Sequence, residues 1–346
     1  MSADLTVSGA DGVPEVVPGD DLAAMVVRHV PDLRDGDIVV VTSKVVSKAE
    51  GRTVRTDRLS AIEAETSRVV ARRGPTTIAR TPHGLTLAAA GVDASNVEQG
   101  TVVLLPLDPD ASARSMRSRV HDLTGANVAV VVTDTAGRPW REGQTDIAVG
   151  CAGLVPLDDH AGRYDGQGNL LSVTAPAVAD EVAAAADLVM GKVSDRPFAV
   201  VRGLQARVLS AGSDGPGARA LIRPDEGDMF ALGAREAALA VVLRDDPQDL
   251  TALAALASSA EPVDAADLVA LAAGKVATRL DVRALDDGGG AGPPREVEVA
   301  GADDVVVSGA LERVCALAVV HGWQVVGDDR NLGRCRIVLR CGPANP

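Results

Sequence analysis

Asp134, Thr135, Arg138, Arg141 and Asp146 crowd into one short stretch of the chain, beside Trp140, one of only two tryptophans. Carboxylate and hydroxyl oxygens next to guanidinium groups suit a divalent metal ion held together with a phosphate. The stretch opens as Val128-Ala129-Val130-Val131-Val132-Thr133, an unbroken β-branched run that reads as a strand buried on both faces. Such a strand, ending in Asp134 and Thr135, holds them rigidly, and the glycines and proline that follow let the backbone turn close to a ligand. The same pattern also describes an ordinary strand-to-loop exit with a capping aspartate.

A second polar strand exit lies upstream. Residues 37–42 read as a strand, and Ser43, Lys44, Ser47 and Lys48 follow it. Two lysines and two hydroxyls there can hold phosphate oxygens; a solvated amphipathic turn has the same composition. The loop Gly91-Val92-Asp93-Ala94-Ser95-Asn96 offers a carboxylate, a hydroxyl and an amide, which suits either a site or an Asx turn. His29 sits on an apolar stripe and reads as packed. No phosphate-binding P-loop occurs, because neither Gly191-Lys192 nor Gly274-Lys275 has the upstream glycine or the following Ser/Thr. The four cysteines, Cys151, Cys315, Cys335 and Cys341, form no zinc spacing and read as small buried hydrophobes or incidental surface thiols.

The elements that must position these groups alternate between strand and helix. A helix over 22–30 is capped by an aspartate and ended by Pro31. Residues 60–72 read as a helix, 85–87 and 101–105 as strands, and 110–122 as a helix returning to the central strand. An apolar segment over 150–159 and a hairpin turn over 162–169 lead to the clearest helix, with Val178, Val182, Ala185 and Val189 on one face, Asp180 and Glu181 near its positive end, and Gly191 as its stop. A strand over 198–203 has a basic exit. Beyond about residue 245, helical composition over 250–273, a linker over 286–294, strands over 297–307, 324–326 and 336–340 and a helix over 311–320 suggest a small α/β module containing Cys315, His321 and Trp323. The fold class is mixed α/β, with a first domain over 1–245 and a second over 246–346.

The chain of 346 residues carries a formal net charge of −14 and only 1% aromatic residues. That balance argues against binding nucleic acid or an anionic membrane surface, so any anionic ligand needs a local cationic pocket or a metal. No signal peptide or membrane-spanning apolar run is evident, which points to a soluble cytoplasmic protein with reduced thiols. A core of Ala, Val and Leu needs close backbone contacts or a large subunit interface.

Several motifs together resemble coenzyme F420-0:L-glutamate ligases: Val13-Pro14-Glu15, Gly19-Asp20-Asp21-Leu22, Asp35-Gly36-Asp37, Thr42-Ser43-Lys44 with Ser47-Lys48, Ala90-Gly91 with Asp93, Ser95 and Asn96, Asp134-Thr135 through Trp140-Arg141, and Ala179-Asp180-Glu181 with Met190-Gly191-Lys192. The similarity runs in unbroken order over roughly residues 8 to 240 and is nearest to the N-terminal domain of the two-domain actinobacterial form. It implies GTP-dependent γ-glutamyl ligation of L-glutamate to F420-0, magnesium or manganese (two ions), potassium, and an intertwined homodimer. It places metal ligands on Asp93, Asp134 and Thr135. GTP contacts fall on Val13, Pro14, Glu15, Val16, Ser43, Lys48 and Asn96, and on a segment beginning near Met190, Gly191 and Lys192. Archaeal members carry a glutamine at the position of Lys192 that helps bind a second metal, whereas an ammonium has no lone pair for a cation.

The residue types suit that chemistry. Lys44 and Lys48 can steady phosphates, Asp134 is central to phosphoryl transfer, and Arg138 and Arg141 can bind the carboxylates of F420-0 or glutamate. Two-domain relatives continue into a flavin-binding nitroreductase-like domain. Here about half the length that domain needs follows residue 245, with no Arg/Ser-rich flavin phosphate-binding start, so FMN binding is not expected. Two other readings are a non-catalytic binder of a nucleotide or phosphorylated deazaflavin that retains the fold, and a structural partner whose C-terminal domain does the work.

Overall fold

Two valine-rich runs, Ile38–Thr42 and the first half of Ala129–Gly137, form the middle of the molecule because β-branched side chains pack well on a pleated surface covered from both sides. The computed structural model of the chain describes residues 4–95, 97–192, 194–225, scattered positions between 228 and 237, Cys315, and the strands Leu280–Leu285, Arg295–Gly301, Trp323–Asn331 and Arg334–Cys341. The chain divides into two units, Met1–Ser67 with Ala79–Gly227, and Arg68–Ile78 with Asp228–Pro346.

In chain order come β1 (Thr6–Gly9), α1 (Leu22–His29), β2 (Ile38–Thr42), α2 (Ser43–Ala49), β3 (Thr53–Arg55) and α3 (Arg58–Ala64). β4 (Arg68–Arg73), β5 (Thr76–Arg80), β6 (Thr86–Ala88) and β7 (Thr101–Val103) follow. Then come α4 (Pro109–Thr124), β8 (Ala129–Gly137), β9 (Gln144–Ala152), α5 (Val178–Met190) and β10 (Phe198–Arg202), and of all these elements only β4 and the first three residues of β5 fall outside the first unit.

Its central sheet has the order β1-β10-β2-β8-β9. β2 and β8 are parallel, and the other neighbours are antiparallel. Alternation along the strands sends Val39, Val41, Val130 and Val132 to one face, where they meet Leu22 and Val26 of α1 and Ala113, Met116 and Val120 of α4. Ile38, Val40, Ala129 and Val131 point the other way, against Val178, Ala179, Val182, Ala183 and Ala186 of α5. The small core side chains allow the expected close approaches: a Cβ on Gly150 would stand 2.4 Å from the Pro109 backbone, so α4 rests directly on β9.

α4 is well terminated, with Asp108 accepting from the Ala111 amide at 2.9 Å and Gly125 left-handed at its end. It also carries two buried charges. Asp110 accepts from the amides of Cys151 at 2.8 Å and Ala218 at 2.7 Å. Arg117 donates to the carbonyls of Val128, Leu209, Ser210 and Ser213, to Asn127 Oδ1, and to Asp214 Oδ1 at 2.7 Å. Hydrogen bonds this numerous are what permit a guanidinium to be buried.

Four expectations need correction. The helix over 60–72 stops at Ala64, and the β-branched stretch after Ser67 becomes β4. Asp134 and Thr135 lie inside β8, because the strand continues to Gly137 and turns back as β9. Gln144 to Asp146 therefore belongs to a strand and not to a loop. The polar segment after β2 is the helix α2.

In the second unit, β11 (Leu280–Leu285), β12 (Arg295–Gly301), β13 (Trp323–Asn331) and β14 (Arg334–Cys341) form an antiparallel sheet in the order β11-β12-β14-β13. β11 was not expected, although Leu280-Asp-Val-Arg-Ala-Leu285 alternates as a strand should. The helices read over 250–273 and 311–320 (apart from Cys315), the linker over 286–294, residues 302–307 and His321 lie outside the described residues. Among the described residues no helix is long and apolar enough to cross a membrane.

Candidate active site

The parallel strands β2 and β8 run in register, with Thr42 opposite Thr133, and the residues that follow converge on a cavity of about 390 Å³ in the first unit. Ser43 opens α2, Asp134 continues β8, and the Ser43 hydroxyl donates to Asp134 Oδ1 at 3.1 Å. Strand alternation and the turn into α2 thus place a hydroxyl and a carboxylate from separate chain segments side by side.

Asp93 arrives by a strained route. Ala89, Ala90 and Gly91 take successive positive φ angles of 53°, 51° and 73°, a left-handed run that costs a non-glycine residue about 1–2 kcal/mol. Asp93 is then locked to β7, exchanging backbone hydrogen bonds with Val103 in both directions. Its carboxylate accepts from the Ser95 amide at 2.8 Å and the Ser95 hydroxyl at 2.9 Å, and Lys44 Nζ lies 2.6 Å from Oδ2. Partial burial works to raise the Asp93 pKa, but the bonds from Lys44 and Ser95 outweigh it and hold the group below the usual carboxylate range.

Asp134 behaves oppositely. Burial, with the nearby charges of Asp146 and Asp93, overcomes the Ser43 hydroxyl and the Thr135 amide and pushes its pKa up to about 6. Across the β8–β9 pair the Thr135 hydroxyl donates to Asp146 Oδ1 at 2.9 Å, and Lys192 Nζ stands 3.4 Å from the same hydroxyl oxygen. Asp187 of α5 also lines the cavity, its pKa raised by burial and by Asp146 against the pull of Lys192.

Of the residues singled out in the sequence, Val13, Pro14, Glu15, Val16, Ser43, Lys44, Lys48, Asp93, Asp134, Thr135, Met190, Gly191 and Lys192 all line this cavity. Lys48 Nζ meets Glu15 at 2.5 Å, tying α2 to the 13–16 segment. Asn96 lies outside the described residues. Arg138 and Arg141 are not among the lining residues; they sit on the β8–β9 loop, where Arg138 donates to the carbonyls of Glu142 and Gly143. Sequence reading passed over Asp187, while Ser47, one of the two hydroxyls read as able to hold phosphate oxygens, lines the cavity as well. An acid in the last turn of a helix opposes the macrodipole, and that was the available signal for Asp187. The Ser47 hydroxyl is buried with no partner, a feature only the packing reveals.

The donor set fits a hard divalent cation. Asp134 is raised partly by two neighbouring carboxylates whose repulsion a cation would relieve, and ammonium groups already stand against Asp93 and Thr135. Among the described residues no group of three or more His, Cys, Asp or Glu side chains is placed to hold a metal. Two carboxylates and a hydroxyl would leave the remaining positions to water and phosphate oxygens, as magnesium commonly does.

Lysines, hydroxyls and carboxylates around one cleft of a mixed α/β domain can bind anionic groups and a cation, the equipment of an enzyme site. The chain belongs to the family described as F420-0:Gamma-glutamyl ligase, which matches residues 12–203. It is similar to the coenzyme F420:L-glutamate ligase of Methanothermobacter thermautotrophicus, 38% identical over 251 residues that cover 65% of this chain and 98% of the relative. The protein of the same name from Archaeoglobus fulgidus is 40% identical over 215 residues, covering 56% of this chain and 86% of its own. That of Haloarcula marismortui is 37% identical over 258 residues, covering 67% and 98%.

Proposed function

We propose that this chain joins the amine of L-glutamate to the carboxyl group of F420-0 as an amide, and can add further γ-linked glutamates, driven by GTP, in the biosynthesis of coenzyme F420. The observation that carries the reading is the convergence on one cavity of the 13–16 segment, α2, Asp93, Asp134-Thr135 and the 190–192 segment. Together they offer cations for phosphates and oxygen ligands for a metal.

A carboxylate is a poor acceptor for an amine, so the acid is activated first. A carboxylate oxygen of F420-0 attacks the γ-phosphorus of GTP, the bond to the bridging oxygen breaks, and GDP leaves. The glutamate amine then attacks the acyl carbon, the acyl–phosphate bond breaks, phosphate leaves and the amine proton passes to solvent. Ser43 and Lys48 hold the nucleotide phosphates, and the 13–16 segment supplies backbone contacts. Asp93, Asp134 and the Thr135 hydroxyl would hold magnesium or manganese, whose charge neutralises the phosphate oxygens during transfer. Potassium assists, and Arg141 on the β8–β9 loop is assigned to a substrate carboxylate. The protein works as a cytoplasmic homodimer, and residues 246–346 form a separate domain that takes no FMN, which the visible absorbance of the purified protein checks.

The test is mass spectrometry of F420-0 incubated with purified protein, L-glutamate, manganese and GTP, beside a control lacking GTP. A GTP-dependent gain of one or more glutamyl masses is expected. Absence of any gain, with nucleotide and metal shown to bind, would replace the enzyme by a binding protein of the same fold.

A further inference from the structure

The salt bridge between Lys44 and Asp93 stands where the proposed function needs a metal. Lys44 Nζ lies 2.6 Å from Asp93 Oδ2 and 2.7 Å from Ser95 Oγ, and the lysine side chain is only 19% exposed. An ammonium has three donors and no lone pair, so it and a divalent ion cannot share that oxygen at close range. Ser95 bonds to both carboxylate oxygens, from its amide to Oδ1 and from its hydroxyl to Oδ2, and these bonds keep Asp93 oriented when the lysine leaves. Lys44 belongs to the first turn of α2 beside Ser43, and its four-carbon stem can swing without moving the helix. Lys48, by contrast, is tied to Glu15 of the 13–16 segment.

We infer that Lys44 is a built-in competitor of the divalent ion: its ammonium caps Asp93 until metal binding displaces it onto the phosphates of the incoming nucleotide. Metal and nucleotide then bind with positive coupling, because the cation released by one is the cation used by the other. Linkage requires the coupling to be reciprocal, so the nucleotide tightens the metal by the factor by which the metal tightens the nucleotide. The inference rests on the metal- and GTP-binding reading above.

Mn2+ binding, followed by the electron paramagnetic resonance of the free ion, tests it without turnover. Wild type, Lys44→Met, Lys44→Arg and Lys48→Met would be titrated with and without a GTP analogue bearing a non-hydrolysable β–γ bridge. Without nucleotide, Lys44→Met is expected to bind Mn2+ about 10-fold tighter than wild type, a factor within the usual range of site coupling. Lys44→Arg keeps the capping charge and stays near wild type. Lys48→Met removes an equal charge away from Asp93 and shifts the affinity by less than about 3-fold, the scale of a partly screened charge. The analogue should tighten Mn2+ more in wild type than in Lys44→Met. Equal gains in Lys44→Met and Lys48→Met, or an analogue effect unchanged by Lys44→Met, would overturn the role of Lys44 while leaving the metal site standing. Mn2+ binding to none of the four proteins would remove the metal reading and this inference together.

Discussion

The strands β2 and β8 are near copies, Ile38-Val39-Val40-Val41-Thr42 and Ala129-Val130-Val131-Val132-Thr133, lying parallel and in register at the centre of one sheet. Their next residues part company. β2 ends and Ser43 starts a helix that delivers hydroxyls and ammonium groups, while β8 stays extended and delivers Asp134 and Thr135 against Asp146 of β9. Equal hydrophobic runs therefore build one rigid floor, and what each does for function depends on whether the chain coils or continues after its threonine. The cationic wall and the anionic wall of the cavity are the two outcomes.

The largest effect is expected at the anionic wall. Asp134→Asn should lower ligation on the order of 10³-fold, as loss of a central electrostatic group does. The same change should stabilise the metal-free protein. The folded carboxyl has its pKa raised from 3.8 to about 6, so its favourable contribution is full below 3.8 and is lost as pH rises through about 6. Thermal melts in EDTA should show the variant more stable at pH 7, by up to about 3 kcal/mol, with the gain vanishing near pH 4. A variant less stable than wild type at pH 7 would contradict the buried-charge account.

Cutting the link between the walls comes next. Ser43→Ala removes the hydroxyl donated to Asp134 and should weaken nucleotide-dependent turnover roughly 10- to 100-fold, the worth of a hydrogen bond to a charged group. It should also move the acid limb of the pH–rate profile upward, since Ser43 holds the Asp134 pKa down. An unmoved limb would separate the two residues. Smaller still is Thr133→Val. The Thr133 hydroxyl is buried with no hydrogen-bond partner, so the variant should gain about 1 kcal/mol in urea unfolding and keep its activity. A loss instead would mean that the hydroxyl is satisfied. The smallest change belongs to the β8–β9 loop, where Arg141→Ala should raise the KM for the acid substrates a few-fold and spare kcat in steady-state assays.

The floor of the site was legible in the sequence because β-branched runs have one good solution, burial in a sheet. The helix caps at Asp21 and the stop at Gly191 were legible for the same local reason. Local pattern misled where pairing decides. Nothing in Asp134-Thr135-Ala136-Gly137 announces a strand until Gln144 to Ile147 folds back on it, so the pair Thr135–Asp146 became visible only in the hairpin. The arginines of that loop stand near Asp134 in sequence, and the strand carries them past the cavity lining, a separation that spacing alone does not give. Asp93 was visible as a carboxylate, but the run of positive φ angles that aims it depends on the packing of Gly91, where a Cβ would stand 2.7 Å from Leu105 Cδ1.

The buried Arg117 sets a lower limit on how short an autonomous version of the first unit can be. The family match ends at residue 203, but the guanidinium draws four of its acceptors, the carbonyls of Leu209, Ser210 and Ser213 and the Asp214 carboxylate, from beyond that point. Asp110 likewise takes the Ala218 amide from there. A chain cut at 203 would leave Arg117 only Val128 and Asn127, and Asp110 only the Cys151 amide, at about 1–3 kcal/mol for each lost partner, so a shortened piece that keeps both charges fully bonded must reach at least Ala218.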